Sequence, residues 1–335
     1  MNVLYLSVLV GSGLAGALLT GLVRRYALAR AVLDVPNERS LHTIPTPRGG
    51  GLAIALTVGA VHLLALQLGW LRAPGALAWG FAAALLAGLG WLDDHRPLAA
   101  RTRLLVQLGL AWAALAAMSP AGGISGAALV AAVCAGGVAL TWFVNLYNFM
   151  DGADGLAATQ ATVAGVTLGS LAALDGDTGT AVAALSLAGA SAGFLAWNRP
   201  PARIFLGDVG SYFLGTYLGL LGAATLVRGG SPWPWLIVLA PFVTDATLTL
   251  CRRILRGERW WAAHRTHAYQ RLVTAGWSHG RLLRAFSALC LLLAGAAAAA
   301  HAWPPRAPWL ALCAYGLAVT IWTLILHRTR DRATA

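Results

Sequence analysis

Lysine is absent from the chain. All 24 basic residues are Arg, which excludes a lysine Schiff base or catalytic lysine and leaves any cationic contact with oxyanions to the guanidinium fork. Charge of either sign is scarce, at 11% of 335 residues, where a soluble domain carries about a quarter. Cysteine is scarce too. Cys134, Cys251, Cys290 and Cys313 fall in or at the edge of apolar runs with no CxxC spacing, so neither disulfides nor a zinc site is expected. No polar stretch is long enough to build a sizeable soluble domain.

Apolar sequence fills the remainder: 58% of residues are hydrophobic and the mean hydropathy is +0.68. Runs close to the roughly 20 residues that cross a bilayer recur along the whole length. They are continuous and rich in Leu, Ala and Gly, not alternating in period two, which disfavours a β-barrel. The pattern predicts an all-α, polytopic membrane protein forming a single domain over residues 1–335. About eleven spans are expected: Val3 to Val23, Gly51 to Trp70, Ala76 to Leu92, Leu104 to Met118, Ala127 to Phe143, Leu156 to Leu174, Thr180 to Trp197, Ser211 to Val227, Pro234 to Cys251, Leu283 to Trp303 and Trp309 to Leu326. The first run lacks a basic flank before it and a clear cleavage site, and it reads as a retained anchor.

The net charge of +12 follows this topology. One set of connections holds 21 Arg and the other holds three, Arg72, Arg228 and Arg306. The positive-inside rule places the rich set in the cytoplasm, the N-terminus outside and the C-terminus inside. The basic balance then reads as topology plus attraction to anionic lipid or substrate, and nucleic acid is not an expected partner. Nine of twelve acids share the Arg-rich side, Asp245 sits within a span, and only Asp175 and Asp177 face out. Chemistry is therefore expected at the inner leaflet.

Asp93 and Asp94 follow the apolar run ending in Leu92. Two adjacent carboxylates at a helix C-terminus repel each other and meet the negative end of the helix dipole. They read either as a charge cluster balanced by Arg96, Arg101 and Arg103 or as a site relieved by a divalent cation. The run from Asn145 to Leu156 spaces Asn145, Asn148, Asp151 and Asp154 three apart, on one face if helical, and contains no Arg. A metal or polar ligand is favoured there over a capped loop. Gly207-Asp208-Val209-Gly210-Ser211 precedes the eighth span; Asp208 is either a helix cap or an oxygen ligand for Mg²⁺. The loop from Asp34 to Gly51 joins rigid prolines, Arg48 and three glycines to a helix start, where backbone N–H groups favour anions. The last long loop carries Trp260-Trp261 and His264-Arg265-Thr266-His267, which read as an interfacial helix without the partners of a zinc site. Asp245 either bonds Arg252 or Arg253 or borders the site. Lone His62 is expected to make an interhelical hydrogen bond.

Taken together these segments resemble the polyprenyl-phosphate N-acetylhexosamine-1-phosphate transferase superfamily, the MraY- and WecA-like membrane glycosyltransferases, over nearly the whole chain. The resemblance rests on the Asp-Asp pair at Asp93 and Asp94, the signature from Asn145 through Leu156, that from Gly207 through Ser211, and Arg265 through His267, in order. The opening loop, with S-L-H-x-x-P-T-P-R-G-G-G, looks most like the O-antigen-initiating branch that acts on UDP-N-acetyl-6-deoxyhexosamines. Two positions depart from the pattern: Ala268-Tyr269-Gln270 stands where many members carry further histidines, and Arg101 where a Lys often follows the Asp pair.

The resemblance implies transfer of a sugar 1-phosphate from a UDP-amino sugar to polyprenyl phosphate with release of UMP, in the bacterial inner membrane, dependent on Mg²⁺ with Mn²⁺ as a substitute. Both reactants are anions, so a cation and Arg are needed to suppress their repulsion. Asp208, Asn148 and Asp94 are the expected metal set. Asp93 and Asp94 are the expected catalytic pair, Asp93 to deprotonate or orient the lipid phosphate; Asn145, Asn148, Asp151 and Asp154 are expected to bind substrate, Asp151 and Asp154 by contacting the nucleotide or positioning the site, and Arg265, His267 and Arg48 to bind the phosphates. Membrane lipids are expected partners; small-xxx-small patterns such as Gly11 to Ala15 leave a homodimer open. An intramembrane prenyltransferase would show two D-x-x-x-D-type helices, and a lipid-linked-sugar flippase would carry ionisable groups along a mid-membrane path; neither pattern is present.

Overall fold

The computed structural model describes residues 3–36, 40–72, 74–119, 126–259 and 264–329. Asn37 to Arg39 of the opening loop, the Trp260-Trp261 pair and Asp331 lie outside them. Each of the eleven apolar runs becomes a helix: α1 (Val3–Ala29), α2 (Gly51–Gln67), α3 (Gly75–His95), α4 (Ala100–Met118), α5 (Ala127–Phe149), α6 (Leu156–Leu174), α7 (Thr178–Asn198), α8 (Gly207–Val227), α9 (Trp233–Leu255), α11 (His279–Ala302) and α12 (Ala307–Arg328). A short helix, α10 (Ala268–Thr274), interrupts the last long loop. Nine of these helices are long and apolar enough to cross a membrane, and α2 is apolar but shorter. The chain is an all-α, multi-pass membrane protein.

Helix ends follow local chemistry. Asp177 caps α7 by accepting from the N–H of Thr180 at 3.0 Å, and Ser278 caps α11 through the N–H of Arg281 at 3.2 Å. The centre is formed by α7 and α8, whose side chains are buried on nearly all faces, while α1 and α12 leave most of theirs exposed. Close packing there depends on small residues. A Cβ on Gly193 of α7 would overlap the carbonyl oxygen of Gly13 on α1, so the two helices meet backbone to backbone. Polar groups inside the bundle pair across helices, as expected for His62: Nδ1 lies 3.0 Å from the Tyr217 hydroxyl and Nε2 lies 2.8 Å from the Ala76 carbonyl.

One element departs from the helical expectation. Leu33–Asp34 (β1) pairs antiparallel with Thr46–Pro47 (β2), which folds the opening loop back on itself. The N–H of Phe205 donates to the Pro47 carbonyl at 2.8 Å, and those of Gly50 and Gly51 donate to the carbonyls of Phe205 and Leu206 at 2.9 and 2.8 Å. The opening loop is thereby fastened to the segment that leads into α8. Pro45 has no N–H, so the ribbon does not extend past Thr46.

Candidate active site

The ends of α3, α5 and α7, the starts of α8, α10 and α11, and the loops that lead into α2 and α6 surround a cavity of about 330 Å³. Arg48, Asp94, Asn148, Asp151, Asp154 and Asp208 all line it. Four sequence segments thus meet at one place, on the Arg-rich side of the chain.

Asp208 opens the first turn of α8, where the helix dipole favours a negative charge. Its Oδ1 accepts from Asn148 Nδ2 at 2.6 Å, and the same nitrogen reaches Ser211 Oγ at 2.9 Å. Asp94 is engaged differently. Its Oδ1 accepts from the N–H of Asp208 at 3.0 Å and its Oδ2 from that of Val209 at 3.2 Å, so a carboxylate from the end of α3 caps α8. Two glycines permit this fit. Gly207 adopts φ +77°, and a Cβ there would lie 2.6 Å from Asp94 Oδ2; a Cβ on Gly90 would strike the Asp208 carbonyl. Arg48 donates from a terminal nitrogen to the Asp94 carbonyl, while its Nε, 3.9 Å from Asp94 Oδ1, is buried without a hydrogen-bond partner.

Asp93, the neighbour of Asp94, does not line the cavity. Its Oδ1 accepts from the N–H of Leu98 at 2.7 Å, and its Oδ2 accepts from Arg103 at 2.8 Å and from the Tyr212 hydroxyl at 3.2 Å. The adjacent pair is therefore engaged differently, Asp94 capping the start of α8 at the cavity and Asp93 bridging Arg103 of α4 and Tyr212 of α8.

Asp151 sits in the turn after α5, half-buried at the cavity wall. Burial pushes its carboxyl well above the usual carboxylate range, and the charges of Asp208, Asp94, Asp154 and Asp34 push it further. Asp154 is held by protein: His279 Nδ1 lies 3.1 Å from Oδ1, and the N–H of Ala202 donates to Oδ2 at 3.0 Å. Asn145 turns away from the cavity toward α4, donating to Gln107 Oε1 at 2.7 Å and to the Thr141 carbonyl at 2.8 Å.

The segment after α9 closes the remaining wall through His264, Tyr269 and Gln270. Arg265 is exposed beside His264 and outside the lining, and His267 is buried behind it, its ring stacked against Phe149 and Tyr269. The Tyr269 hydroxyl donates to the Phe149 carbonyl at 2.9 Å, at a place where a side chain on Gly152 would collide with it. Asp245 bonds the start of α10: its Oδ1 accepts from the N–H of Ala268 at 2.9 Å and its Oδ2 from that of Tyr269 at 3.3 Å. Sequence reasoning did not select His42, His264 or His279 as site residues, yet all three line the cavity, and His42 Nε2 is buried without a partner. The position of His42 and His264 within the quoted loops was an available signal; His279 carried none.

Among the described residues no three His, Cys, Asp or Glu side chains converge as a metal site by themselves. The donor set nevertheless suits Mg²⁺, which is held by one or two carboxylates and completes its shell with substrate phosphate and water. Asp208 and Asn148 supply oxygens at the cavity, Asp94 lies directly behind them, and the negative charge around Asp151 has no cation among its principal influences.

A model of Glycosyl transferase family 4 matches residues 76–225 of the chain. The decaprenyl-phosphate N-acetylglucosaminephosphotransferase of Mycobacterium tuberculosis is 35% identical over 315 residues, covering 81% of this chain and 77% of its own. That of Mycobacterium leprae is 33% identical, covering 81% and 78%. The phospho-N-acetylmuramoyl-pentapeptide-transferase of a Synechococcus strain is 31% identical over 327 residues, covering 87% and 89%.

Proposed function

Because the chain belongs to glycosyl transferase family 4, within the polyprenyl-phosphate N-acetylhexosamine-1-phosphate transferase superfamily, we propose that it transfers a sugar 1-phosphate from a UDP-N-acetylhexosamine to polyprenyl phosphate at the cytoplasmic face of the bacterial inner membrane, releasing UMP. The observation that carries this reading is the meeting of Arg48, Asp94, Asn148, Asp151 and Asp208 from separate segments at one polar cavity, at the Arg-rich end of a membrane bundle. In the reaction an oxygen of the polyprenyl phosphate attacks the phosphorus attached to the sugar. The bond from that phosphorus to the bridging oxygen breaks, and UMP leaves with the oxygen.

Asp208 with Asn148 would hold Mg²⁺, with Asp94 placed behind them, and the ion supplies neutralisation of phosphate charge when bound. Asp208 faces the diphosphate from the positive end of α8. Asp94 acts by fixing that helix end and is not free to move toward substrate, since both its oxygens accept backbone N–H groups. Arg48, with its buried and unpartnered Nε, is assigned to a phosphate oxygen. Asp151 and Asp154 bound the nucleotide side, Asn145 supports that signature from the α4 side, and Arg265 and His267, both outside the lining, support the wall formed by His264, Tyr269 and Gln270. Asp93 is assigned to orient the acceptor phosphate: its Oδ2 already accepts from Arg103 and Tyr212, and a phosphate monoester with a second pKa of about 6 needs no strong base at neutral pH.

For the sugar, UDP-N-acetylglucosamine leads, in line with the names of the mycobacterial relatives. The opening loop favours a UDP-N-acetyl-6-deoxyhexosamine such as UDP-QuiNAc or UDP-FucNAc and a place at the start of lipid-linked O-antigen or another envelope glycan. Purified protein with polyprenyl phosphate, Mg²⁺ and these UDP-sugars is expected to release UMP from at least one. Release of none, in the presence of both substrates and metal, would refute the reading.

A further inference from the structure

Asp245 lies in the middle of α9, where a carboxylate is costly unless it is paired. Its partners belong largely to another part of the chain. Oδ1 accepts from the N–H of Ala268 at 2.9 Å and from Thr249 Oγ1 at 3.0 Å, Oδ2 accepts from the N–H of Tyr269 at 3.3 Å, and His267 Nδ1 lies 3.5 Å from Oδ1. The first N–H groups of a helix have no partner within it. Here a side chain from inside the bundle supplies one, and α10 begins on it. Asp245 itself does not reach the cavity of about 330 Å³. The segment it holds does, through His264, Tyr269 and Gln270. On its far side this segment is tied to the end of α5 by the hydrogen bond from Tyr269 to the Phe149 carbonyl, two residues before Asp151.

We infer that Asp245 is a positioning residue of the reaction: by holding the start of α10, it sets the cavity wall against which the nucleotide sugar binds. The inference rests on the preceding reading that this cavity takes a UDP-sugar. It applies to the soluble donor and not to the lipid acceptor, because the wall it fixes is tied to the signature loop that carries Asp151, whereas Asp93 and Arg103 lie outside the cavity lining.

Asp245→Asn retains size but turns one oxygen into a donor that faces an N–H of the helix start. The expected result is a KM for the UDP-sugar raised about tenfold and a KM for polyprenyl phosphate changed less than about twofold, the loss of one charge-assisted hydrogen bond at the wall. Amide exchange at Ala268 and Tyr269, followed by mass spectrometry, should accelerate about tenfold as the local opening becomes easier. Thr249→Val is the control. It removes a hydroxyl that donates to Asp245 and accepts from Trp322 Nε1 at 3.2 Å, so it disturbs α9–α12 packing but leaves both backbone bonds, and both KM values and the exchange should stay near wild type. In the wild-type protein, which needs no variant to fold, the two amides should exchange as slowly as those of the α9 interior.

Unchanged exchange or an unchanged UDP-sugar KM in Asp245→Asn overturns the inference, as does fast exchange at these amides in the wild type. An equal effect of Thr249→Val reduces Asp245 to a packing role and overturns it too. Absence of UMP release by the wild type would refute the reaction instead, and the exchange data would still report whether Asp245 holds the segment.

Discussion

At the corner where α3 meets α8, the carboxylate of Asp94 is occupied by backbone, taking the N–H groups of Asp208 and Val209 and enclosed by Gly90 and Gly207. At the turn after α5, Asp151 faces the same cavity, and the charges that act on it most strongly are other carboxylates. Both residues are acids placed by short glycine-bearing motifs, but one contributes to the fold and the other stands against it. The difference separates residues that build the site from residues that wait for a cationic or phosphate-bearing ligand. Asp208 belongs to both groups: its N–H is held by Asp94, and its side chain, bonded to Asn148, points to the cavity.

The largest effect is expected at Asp208. Asp208→Asn keeps the backbone bond to Asp94 and should lower the UMP release rate roughly a thousandfold, as for removal of a main electrostatic group, with the folded fraction nearly unchanged by circular dichroism. Asp151→Asn should lower turnover by about a hundredfold and raise the melting temperature by about 2 °C. The sign follows from its carboxyl, which the fold holds above the usual range: its charged form is disfavoured in the native state, so the apo protein gains stability as pH falls through that raised value, and the neutral side chain has the gain at every pH. A melting temperature that drops would place Asp151 among the structural acids. Asp94→Ala should behave in the opposite way, losing about 2–4 kcal/mol of stability from two orphaned N–H groups together with activity. Gly207→Ala should lose the smaller amount of about 1–2 kcal/mol, from a Cβ in the left-handed region and against Asp94 Oδ2, readable by thermal melting. If Asp94→Ala melted like the wild type, the distinction drawn between the two carboxylates would fail.

Much of this was legible in the sequence because bilayer thickness dictates helix length. Each of the eleven apolar runs corresponds to one helix, and continuous hydropathy marks such runs whatever their packing. The ends were less legible. Helix α4 begins at Ala100 and takes in Arg101 and Arg103, because Arg103 reaches back to Asp93. A helix in the last long loop was expected, but not where α10 starts, since its first N–H groups find their partner in Asp245, more than twenty residues earlier in α9. The same limit applies to the site. Periodicity placed Asn145, Asn148, Asp151 and Asp154 together, but helix α5 ends at Phe149, so Asn145 turns to Gln107 while Asp151 and Asp154 follow the turn into the cavity. That Asp94 caps α8 while Asp93 bonds Arg103 of α4 and Tyr212 of α8 depends on which helices meet there, and no single-chain pattern encodes it.

In the proposed reaction Asp208 and its neighbours gather a divalent cation on the diphosphate of the donor. Electron paramagnetic resonance of Mn²⁺ in place of Mg²⁺, recorded on the purified protein with a UDP-N-acetylhexosamine, measures this directly. The account predicts a bound Mn²⁺ signal with phosphorus hyperfine coupling in the wild type that disappears in Asp208→Asn. The same coupled signal in both proteins, or free Mn²⁺ in both, would contradict it.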